Sequence, residues 1–315
     1  MKNFEQISKK ISLLTIDNPR NPHKIQWYNI TNPGKNEIKF LKQKFDFKEK
    51  HLEASLSTIS AQRPMIFQEE KYFFIILHFP ISNNNKVIPG EIEFFFSHGY
   101  IITLHDGNIK TLNDFFEFCK KDSIFLESYN LESSAVLLYE ILEKLVQDSY
   151  VLLDKNNIEI NELEKKIFES NQEQVTSQLL ILKRNIINIR RIVQNHKNIM
   201  KQLTEMKSRV LSEEQIMKYY GILAEHCQRI WEFSENQKDI INSLQNTSES
   251  ISNNKTNNIM KTLTVISAIL MPLNLIATIL GMNLEPGDKP FIITISSMII
   301  IAIILMIFFK KKKWL

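Results

Sequence analysis

One apolar stretch of the chain carries polar and sulfur-containing side chains at helical spacing. They fall at steps of three or four, with Leu263 at their border: Met260, Thr264, Ser267, Met271, Asn274 and Thr278. Side chains at these steps share one face of a helix. Hydroxyl and amide groups on such a face either join neighbouring membrane helices or hydrogen-bond water and hydrated ions. Asn274 favours the second use, because an amide in hydrocarbon is costly unless it meets a partner or water.

The stretch that holds this face is long enough to cross a membrane. No charged residue occurs from Thr262 to Leu284, and a second uncharged run, Phe291 to Phe309, follows a short loop. About 20 helical residues cross the ~30 Å hydrocarbon core of a bilayer. Pro272 removes one backbone donor and should bend the first helix locally. The two runs predict a transmembrane hairpin.

Charge predicts the orientation of this hairpin. Lysines flank both runs on one side, at Lys255, Lys261 and Lys310 to Lys313, whereas the connecting loop carries the acids Glu285 and Asp288. Because positive charge accumulates on the cytoplasmic side, we expect both termini in the cytoplasm and the loop outside. The protein is therefore predicted to be a multi-pass protein of the cytoplasmic (inner) membrane.

Composition excludes several other classes of protein. The net charge of +4 over 315 residues is too small to indicate a nucleic-acid partner. Cys119 and Cys227 lie far apart and indicate neither a disulfide framework nor a zinc site. No phosphate-binding, zinc-protease or nucleophile-elbow motif occurs, so no catalytic residues and no enzymatic activity are predicted. His78 is interpreted as a core residue, and His226, beside Glu225, as a slightly better metal candidate.

The chain before the membrane is predicted to be an α+β body followed by long helices. Short helices are expected at Lys35–Lys44 and Leu112–Cys119. Strands of a mixed sheet are expected at Lys24–Thr31, Met65–Gln68, Lys71–Pro80, Glu91–Phe96 and Tyr100–His105, with a turn at Asn83-Asn84-Asn85. Helical spacing then predicts Leu131–Ser170 and Val175–Met206, whose many charges indicate a solvated face. The predicted domains are 1–125 (α/β), 126–259 (helical stalk) and 260–315 (transmembrane hairpin).

A family resemblance rests on the end of the first membrane run. Gly281-Met282-Asn283 at that position, with a short acidic loop, a second membrane run and a closing Lys-Lys-Lys-Lys-Trp-Leu, resembles the CorA family of magnesium channels. The Asn- and Ser-rich stretch Gln245–Asn258 reads as a linker by propensity alone. The resemblance implies instead one long stalk helix, from about Ser212 to Leu280, that continues into the membrane.

The resemblance also implies how the polar face is used. It implies a funnel-shaped homopentamer in which Asn283 at the outer mouth holds Mg²⁺ through the ion's hydration water. Rings of Asn274 and Asn257 would repeat this contact deeper in the pore. Met260, Leu263 and Met271 would form apolar collars that close by dewetting. Glu285 and Asp288 would raise the local cation concentration at the mouth. No cofactor is expected beyond the transported and regulatory Mg²⁺.

Two residues depart from the family pattern. Lys289 lies where family members often hold a second acid. Ile222, after Tyr219-Tyr220-Gly221, lies where the family commonly has an aspartate that binds regulatory Mg²⁺ between subunits. Glu225, one helical turn later, is the candidate substitute. We expect closure by cytosolic Mg²⁺ to be weakened in this chain.

Three functions remain open at this point. The leading hypothesis is a Mg²⁺ channel that also admits Co²⁺ or Ni²⁺. The second is a zinc-transporting member of the same superfamily, although Leu284–Pro290 lacks the Gly-Gly-x-Pro-Gly continuation typical of that branch. The third is a non-conducting, membrane-anchored helical scaffold, which would have no use for Asn274.

Overall fold

The structure is a computed structural model, which describes residues 4–17, 24–56, 63–121, 133–169, 172–205, 219–281, 288–312 and 314. The chain divides into two compact units, Met1–Ser243 and Leu244–Leu315. The domain boundaries after residues 125 and 259 stay predictions.

A mixed sheet forms the centre of the first unit. Its seven described strands are β1 (Phe4–Gln6), β2 (Ile11–Ile16), β3 (Ile25–Thr31), β4 (Met65–Gln68), β5 (Phe73–Asn83), β6 (Lys86–Ser97) and β7 (Tyr100–His105). Their order across the sheet is β1-β2-β3-β7-β6-β5-β4. β3 and β7 run parallel, and the other neighbours run antiparallel. The predicted mixed sheet is confirmed.

The strands differ from the sequence prediction at the N-terminus and at one turn. The prediction places no strand before Lys24, whereas β1 and β2 lie there. β5 and β6 are longer than predicted, because Asn83 still pairs with Lys86. Only Asn84 and Asn85 form the loop, with φ of 48° and 61°. A two-residue loop with both φ positive matches the twist of the strands it joins, and asparagine tolerates that conformation.

Within the described residues, the chain is helical in the regions where the sequence analysis predicts helices. In chain order they are α1 (Lys35–Phe45), α2 (Glu49–Ala54), α3 (Lys110–Lys121), α4 (Ser134–Glu169), α5 (Gln172–Val193), α6 (His196–Glu205), α7 (Gly221–Gly281) and α8 (Asp288–Lys311). Both faces of the sheet are covered. The face of Phe74 and Phe95 packs with α1 and α2, and the face of Phe94 and Phe96 packs with α3, α4, α5, α6 and α7. Alternate side chains of β6 therefore lie in two separate hydrophobic cores, one on each face of the sheet.

The single helix predicted over Val175–Met206 is wrong in one respect, since a turn at Gln194 and Asn195 separates α5 from α6. The turn precedes His196, which is 1% exposed and whose Nε2 donates to the backbone oxygen of His78 at 2.6 Å. Burial lowers the pKa of His196 to about 4, so the ring is neutral at neutral pH. The break between α5 and α6 therefore lies beside a buried hydrogen bond that connects the helices to β5.

α7 is one continuous helix of 61 residues, which corresponds to about 90 Å. It includes the whole stretch Gln245–Asn258 and continues through Pro272. The long helix implied by the family resemblance is confirmed there, against local propensity. Its predicted start at Ser212 lies outside the described residues.

Candidate functional site

Two of the described helices are long and apolar enough to cross a membrane. The candidate spans lie in Gly221–Ile279 and Ile292–Lys311, and their most apolar windows have mean hydropathies of 1.9 and 3.0. Only 6% and 0% of the residues in these windows are buried. Apolar helices this exposed need lipid or further protein around them.

The polar face predicted from the sequence lies on the exposed surface of α7. All eight predicted pore-lining residues are exposed: Asn257, Met260, Leu263, Thr264, Ser267, Met271, Asn274 and Thr278. Met271 is the most exposed of the large apolar side chains in this helix, at 76%. A thioether and an amide that face outward from a membrane helix are available to a partner or to water.

Part of the opposite side of α7 is less exposed. Val265 is 2% exposed, and Ile269, Leu273 and Ile276 are half-buried. These residues lie on the side of the helix opposite Met271 and Asn274. The rest of the span is exposed, and its surface carries the amides, hydroxyls and methionines together with aliphatic side chains that are 48–61% exposed: Ile266, Leu270, Leu275 and Ile279.

Two threonines of the exposed face are hydrogen-bonded to their own helix. The Thr264 hydroxyl donates to the backbone oxygen of Met260 at 2.7 Å, and the Thr278 hydroxyl donates to that of Asn274 at 2.7 Å. Each hydroxyl thereby uses its single hydrogen inside the helix. What it presents outward is an oxygen that can only accept hydrogen bonds.

A cleft lies at the end of this face nearest Lys261. It has a volume of about 330 Å³ and lies within the second unit. Its lining combines amides, one lysine and an indole: Asn254, Asn257, Asn258, Met260, Lys261, Thr264 and Trp314. The Trp314 ring also lies beside Phe309, with ring centroids 6.1 Å apart and the planes tilted by 32°. Tryptophan and lysine are typical of a membrane–water interface, which agrees with the end of the membrane span at this level.

The predicted outer mouth lies largely outside the described residues. Gly281 is the last residue of α7, whereas Met282, Asn283 and Glu285 follow it beyond the described range. Asp288 is the first residue of α8, and its side chain is not described. Their roles stay predictions.

The described residues hold no group of three or more His, Cys, Asp or Glu side chains that could bind a metal ion. His78 lies in β5 with its Nε2 2.7 Å from Glu91, as a core histidine should. His226 lies 3.1 Å from the Glu143 carboxylate, a partner on α4 that sequence spacing did not reveal. Burial raises the pKa of the Cys119 and Cys227 thiols to about 12, so neither supplies a thiolate.

The region proposed for a regulatory ion is exposed. Ile222 is 44% exposed on α7, and Glu225 is exposed one turn later. An exposed isoleucine at this position is available to a neighbouring chain but offers no oxygen ligand.

The sequence analysis missed one buried acid. Glu93 is 4% exposed in the centre of β6, and its Oε2 has no hydrogen-bond partner among the described residues. The signal was present in the alternation Glu91-Ile92-Glu93-Phe94-Phe95, which puts both acids on the face of Phe95.

Comparisons with known proteins agree with this architecture. A family model described as "CorA-like Mg2+ transporter protein" matches residues 22–311. The cobalt/magnesium transport protein CorA of Thermotoga maritima is 28% identical over 227 residues. That match covers 71% of this chain and 63% of the relative, less than two thirds of its length. The protein of the same name from Methanocaldococcus jannaschii is 21% identical, over 83% of this chain and 80% of that one.

A solved structure extends the comparison to the fold. The complete structure of the CorA magnesium transporter from Methanocaldococcus jannaschii aligns with a TM-score of 0.82. The sequence identity is 19%, and the alignment covers 92% of each chain. At this identity the likeness shows a shared fold.

Proposed function

Because the chain belongs to the CorA-like Mg²⁺ transporter family, we propose that it conducts hydrated Mg²⁺ through a channel built from several copies of α7. Family membership and the two apolar helices place the chain in a membrane. We assign that membrane as the cytoplasmic one, with both termini in the cytoplasm, from the lysines that flank the spans. Co²⁺ and Ni²⁺ are further cargo under this proposal.

The proposal is supported above all by the exposure of Asn274 within an apolar span. An unpaired amide that faces hydrocarbon costs about 4 to 8 kcal/mol on a water-to-cyclohexane scale. The Thr264 and Thr278 hydroxyls avoid most of this cost by donating to their own helix. Within the apolar span, the Asn274 amide requires water or a partner, and a hydrated pore supplies water.

One chain contributes a single amide at each level, which is too few to surround an ion. We propose a homopentamer with cyclic symmetry, in which each residue of the exposed face becomes a ring. Asn257, Asn274 and Asn283 would then be amide rings at three levels. The exposed polar face would then line a water-filled pore, and the apolar side chains of α7 would face lipid or neighbouring helices.

The chemistry of the face suits an ion that keeps its water. Mg²⁺ dehydrates reluctantly and retains several waters in most protein sites. Those waters point their hydrogens outward, so they need acceptors. The back-bonded hydroxyls of Thr264 and Thr278 offer acceptor oxygens only, and each asparagine offers an amide oxygen. Carboxylates for direct binding are not required along such a path.

The same face carries the proposed gate. Met260, Leu263 and Met271 are 54%, 55% and 76% exposed. Rings of these side chains would be narrow and apolar, and such constrictions close by losing their water. At the outer mouth, Gly281, Met282 and Asn283 would select the ion, and Glu285 and Asp288 would concentrate cations electrostatically.

The structural features weigh against the scaffold alternative more than against zinc. A scaffold gives no reason for an exposed amide and two exposed methionines in a membrane span. Zinc transport uses the same architecture, so only the loop Leu284–Pro290 argues against it. We further propose that regulatory Mg²⁺ acts weakly here, because Ile222 offers no ligand and Glu225 is the nearest acid on α7.

Uptake into liposomes tests the function. The purified chain is reconstituted around a Mg²⁺-sensitive dye, and uptake of Mg²⁺, Co²⁺, Ni²⁺ and Zn²⁺ is compared at equal driving force. We expect Mg²⁺ uptake well above that of protein-free liposomes. Uptake of Zn²⁺ alone would support the zinc alternative, and no uptake of any ion would support the scaffold.

A further inference from the structure

A cleft of about 250 Å³ lies in the first unit, beside the end of β7 and the start of β6. Three acids and several apolar side chains dominate its lining, which comprises Asn32, Pro33, Ser55, Leu56, Pro89, Glu91, Glu93, Leu104, His105 and Asp106. The cleft is far in sequence from the polar face of α7, and the proposed ion path makes no use of it.

Glu93 is the most buried acid of the cleft. It is 4% exposed, whereas the Glu91 side chain is 21% exposed and Asp106 is exposed. The Ser55 hydroxyl, which also lines the cleft, donates its hydrogen to the backbone oxygen of His51 at 3.2 Å, and Oε2 of Glu93 has no hydrogen-bond partner among the described residues. A buried carboxyl oxygen without a partner is costly. It is explained if a ligand supplies the missing hydrogen-bond donor.

The other acids of the cleft are held by neighbours. Glu91 lies 2.7 Å from Nε2 of His78, and both Asp106 oxygens accept hydrogen bonds from Asn108 at 3.0 Å. Among the described residues, no lysine or arginine lines the cleft. Lys10 donates to the backbone oxygen of Asn32, a lining residue, at 2.7 Å. The carboxylates of Glu91 and Asp106 therefore favour a positively charged occupant, and a cation beside Glu93 favours its ionised form.

The occupant is not a metal ion bound directly by protein. Such a site needs several convergent oxygen or nitrogen ligands. No group of three His, Cys, Asp or Glu side chains converges anywhere in the described residues. The cleft is also too large for a bare ion and too small for a drug-sized ligand. Pro33, Leu56 and Pro89 add apolar surface to the lining.

We propose that this cleft binds a small aliphatic diamine, with one ammonium group against Glu93, the methylene chain along Pro33 and Pro89, and the second ammonium toward Asp106. The binding is separate from ion conduction and stands whether or not the chain transports Mg²⁺.

The protonation change on binding follows from the burial of Glu93. Burial raises the pKa of this carboxyl to about 8, so the empty cleft holds a neutral acid at pH 7. An incoming ammonium ion stabilises the carboxylate, and the carboxyl proton leaves to the buffer. The ammonium keeps its own protons and donates one to Oε2. Binding therefore releases up to one proton per chain at pH 7.

Calorimetry on the full-length protein in detergent tests the proposal. The probe is 1,4-diaminobutane at pH 7, titrated in two buffers of different ionisation enthalpy. We expect one diamine per chain and a heat that depends on the buffer, because a proton is released. Glu93→Gln should weaken binding by about tenfold or more, since a neutral amide cannot pair with the ammonium. Asp106→Asn should weaken it less, and Glu70→Gln, an exposed acid outside the cleft, should have no effect.

Three results would overturn the proposal. The first is the absence of saturable heat at about 10 mM diamine, because this excludes even millimolar affinity. The second is that Glu93→Gln binds the diamine as tightly as the wild type. The third is that Mg²⁺ displaces the diamine with the same proton release. If Glu93→Gln does not yield folded protein, Leu56→Trp provides the test. The indole is larger than the leucine side chain and should fill the cleft from its exposed side. Loss of binding in that variant supports the proposal, and retained binding contradicts it.

Discussion

Replacing Met271 by aspartate tests the proposed apolar gate. The side chain is 76% exposed in one chain, so the change removes little packing within that chain, and surface changes typically shift stability by less than about 0.5 kcal/mol. In the proposed ring, by contrast, five thioethers become carboxylates that hold water. The variant should therefore fold and assemble, yet leak.

The size of the leak follows from what the ring contributes to closure. Full burial of a methionine side chain is worth about 1.5 to 3 kcal/mol. If each of the proposed five copies contributes only ~0.5 kcal/mol to the closed state, the ring contributes ~2.5 kcal/mol. Losing that amount shifts the open-to-closed ratio about 70-fold. Charge repulsion between the carboxylates adds to the shift.

The assay is Mg²⁺ uptake into liposomes with and without Mg²⁺ on the cytoplasmic side. Met271→Leu is the matched control, because it keeps an apolar side chain of similar volume and should gate nearly normally. Unchanged uptake and unchanged closure in Met271→Asp would show that Met271 does not line the path, and the exposed face would need another explanation.

Three further predictions concern the first unit and the helix that leaves it. Ile222→Asp should sharpen closure by cytosolic Mg²⁺ by restoring an oxygen ligand at an exposed position; an unchanged dependence of uptake on internal Mg²⁺ would contradict this. Phe94→Ala should lower the free energy of unfolding, measured with denaturant, by about 3 to 5 kcal/mol, because Phe94 is fully buried. Phe67 is 37% exposed, so Phe67→Ala should lower it much less. Glu93 has its pKa raised from 4.5 to about 8 on folding, so the stability that it contributes is full below pH 4.5 and is lost as the pH rises toward 8. Glu93→Gln stays neutral, and its melting temperature should therefore rise relative to the wild type between about pH 4.5 and about pH 8; a constant difference would contradict the shift.

Elements with a strong local signal could be predicted from the sequence. β4 and β7 begin and end where the prediction places them, because each is a short, mostly apolar run that follows proline or glycine and precedes an acid. The exposed face of α7 follows from spacing alone, since a helix that continues without a break keeps its periodicity. Gln245–Asn258 is a different case, because local propensity indicates a linker and the family resemblance was needed to predict the helix.

Features that depend on distant contacts could not be predicted. The turn between α5 and α6 accompanies a hydrogen bond from His196 to β5, 118 residues earlier in the chain. β1 pairs only with β2 at the edge of the sheet, and its three residues carry too weak a pattern to identify a strand. The burial of Glu93 depends on which face of the sheet α2 covers. Periodicity gives the two faces of a strand but does not say which helix packs on either.

Uptake by Asn283→Ala tests the central claim most directly. The change removes the proposed amide ring at the outer mouth and deletes only a small polar side chain. Asn236→Ala is the matched control, since it removes the same group from the exposed surface of α7 but lies outside the predicted pore-lining set and outside the cleft at its end. We expect Asn283→Ala to keep its oligomeric state and to lose Mg²⁺ uptake in liposomes, while Asn236→Ala transports like the wild type. Normal uptake with unchanged ion preference in Asn283→Ala would contradict the account.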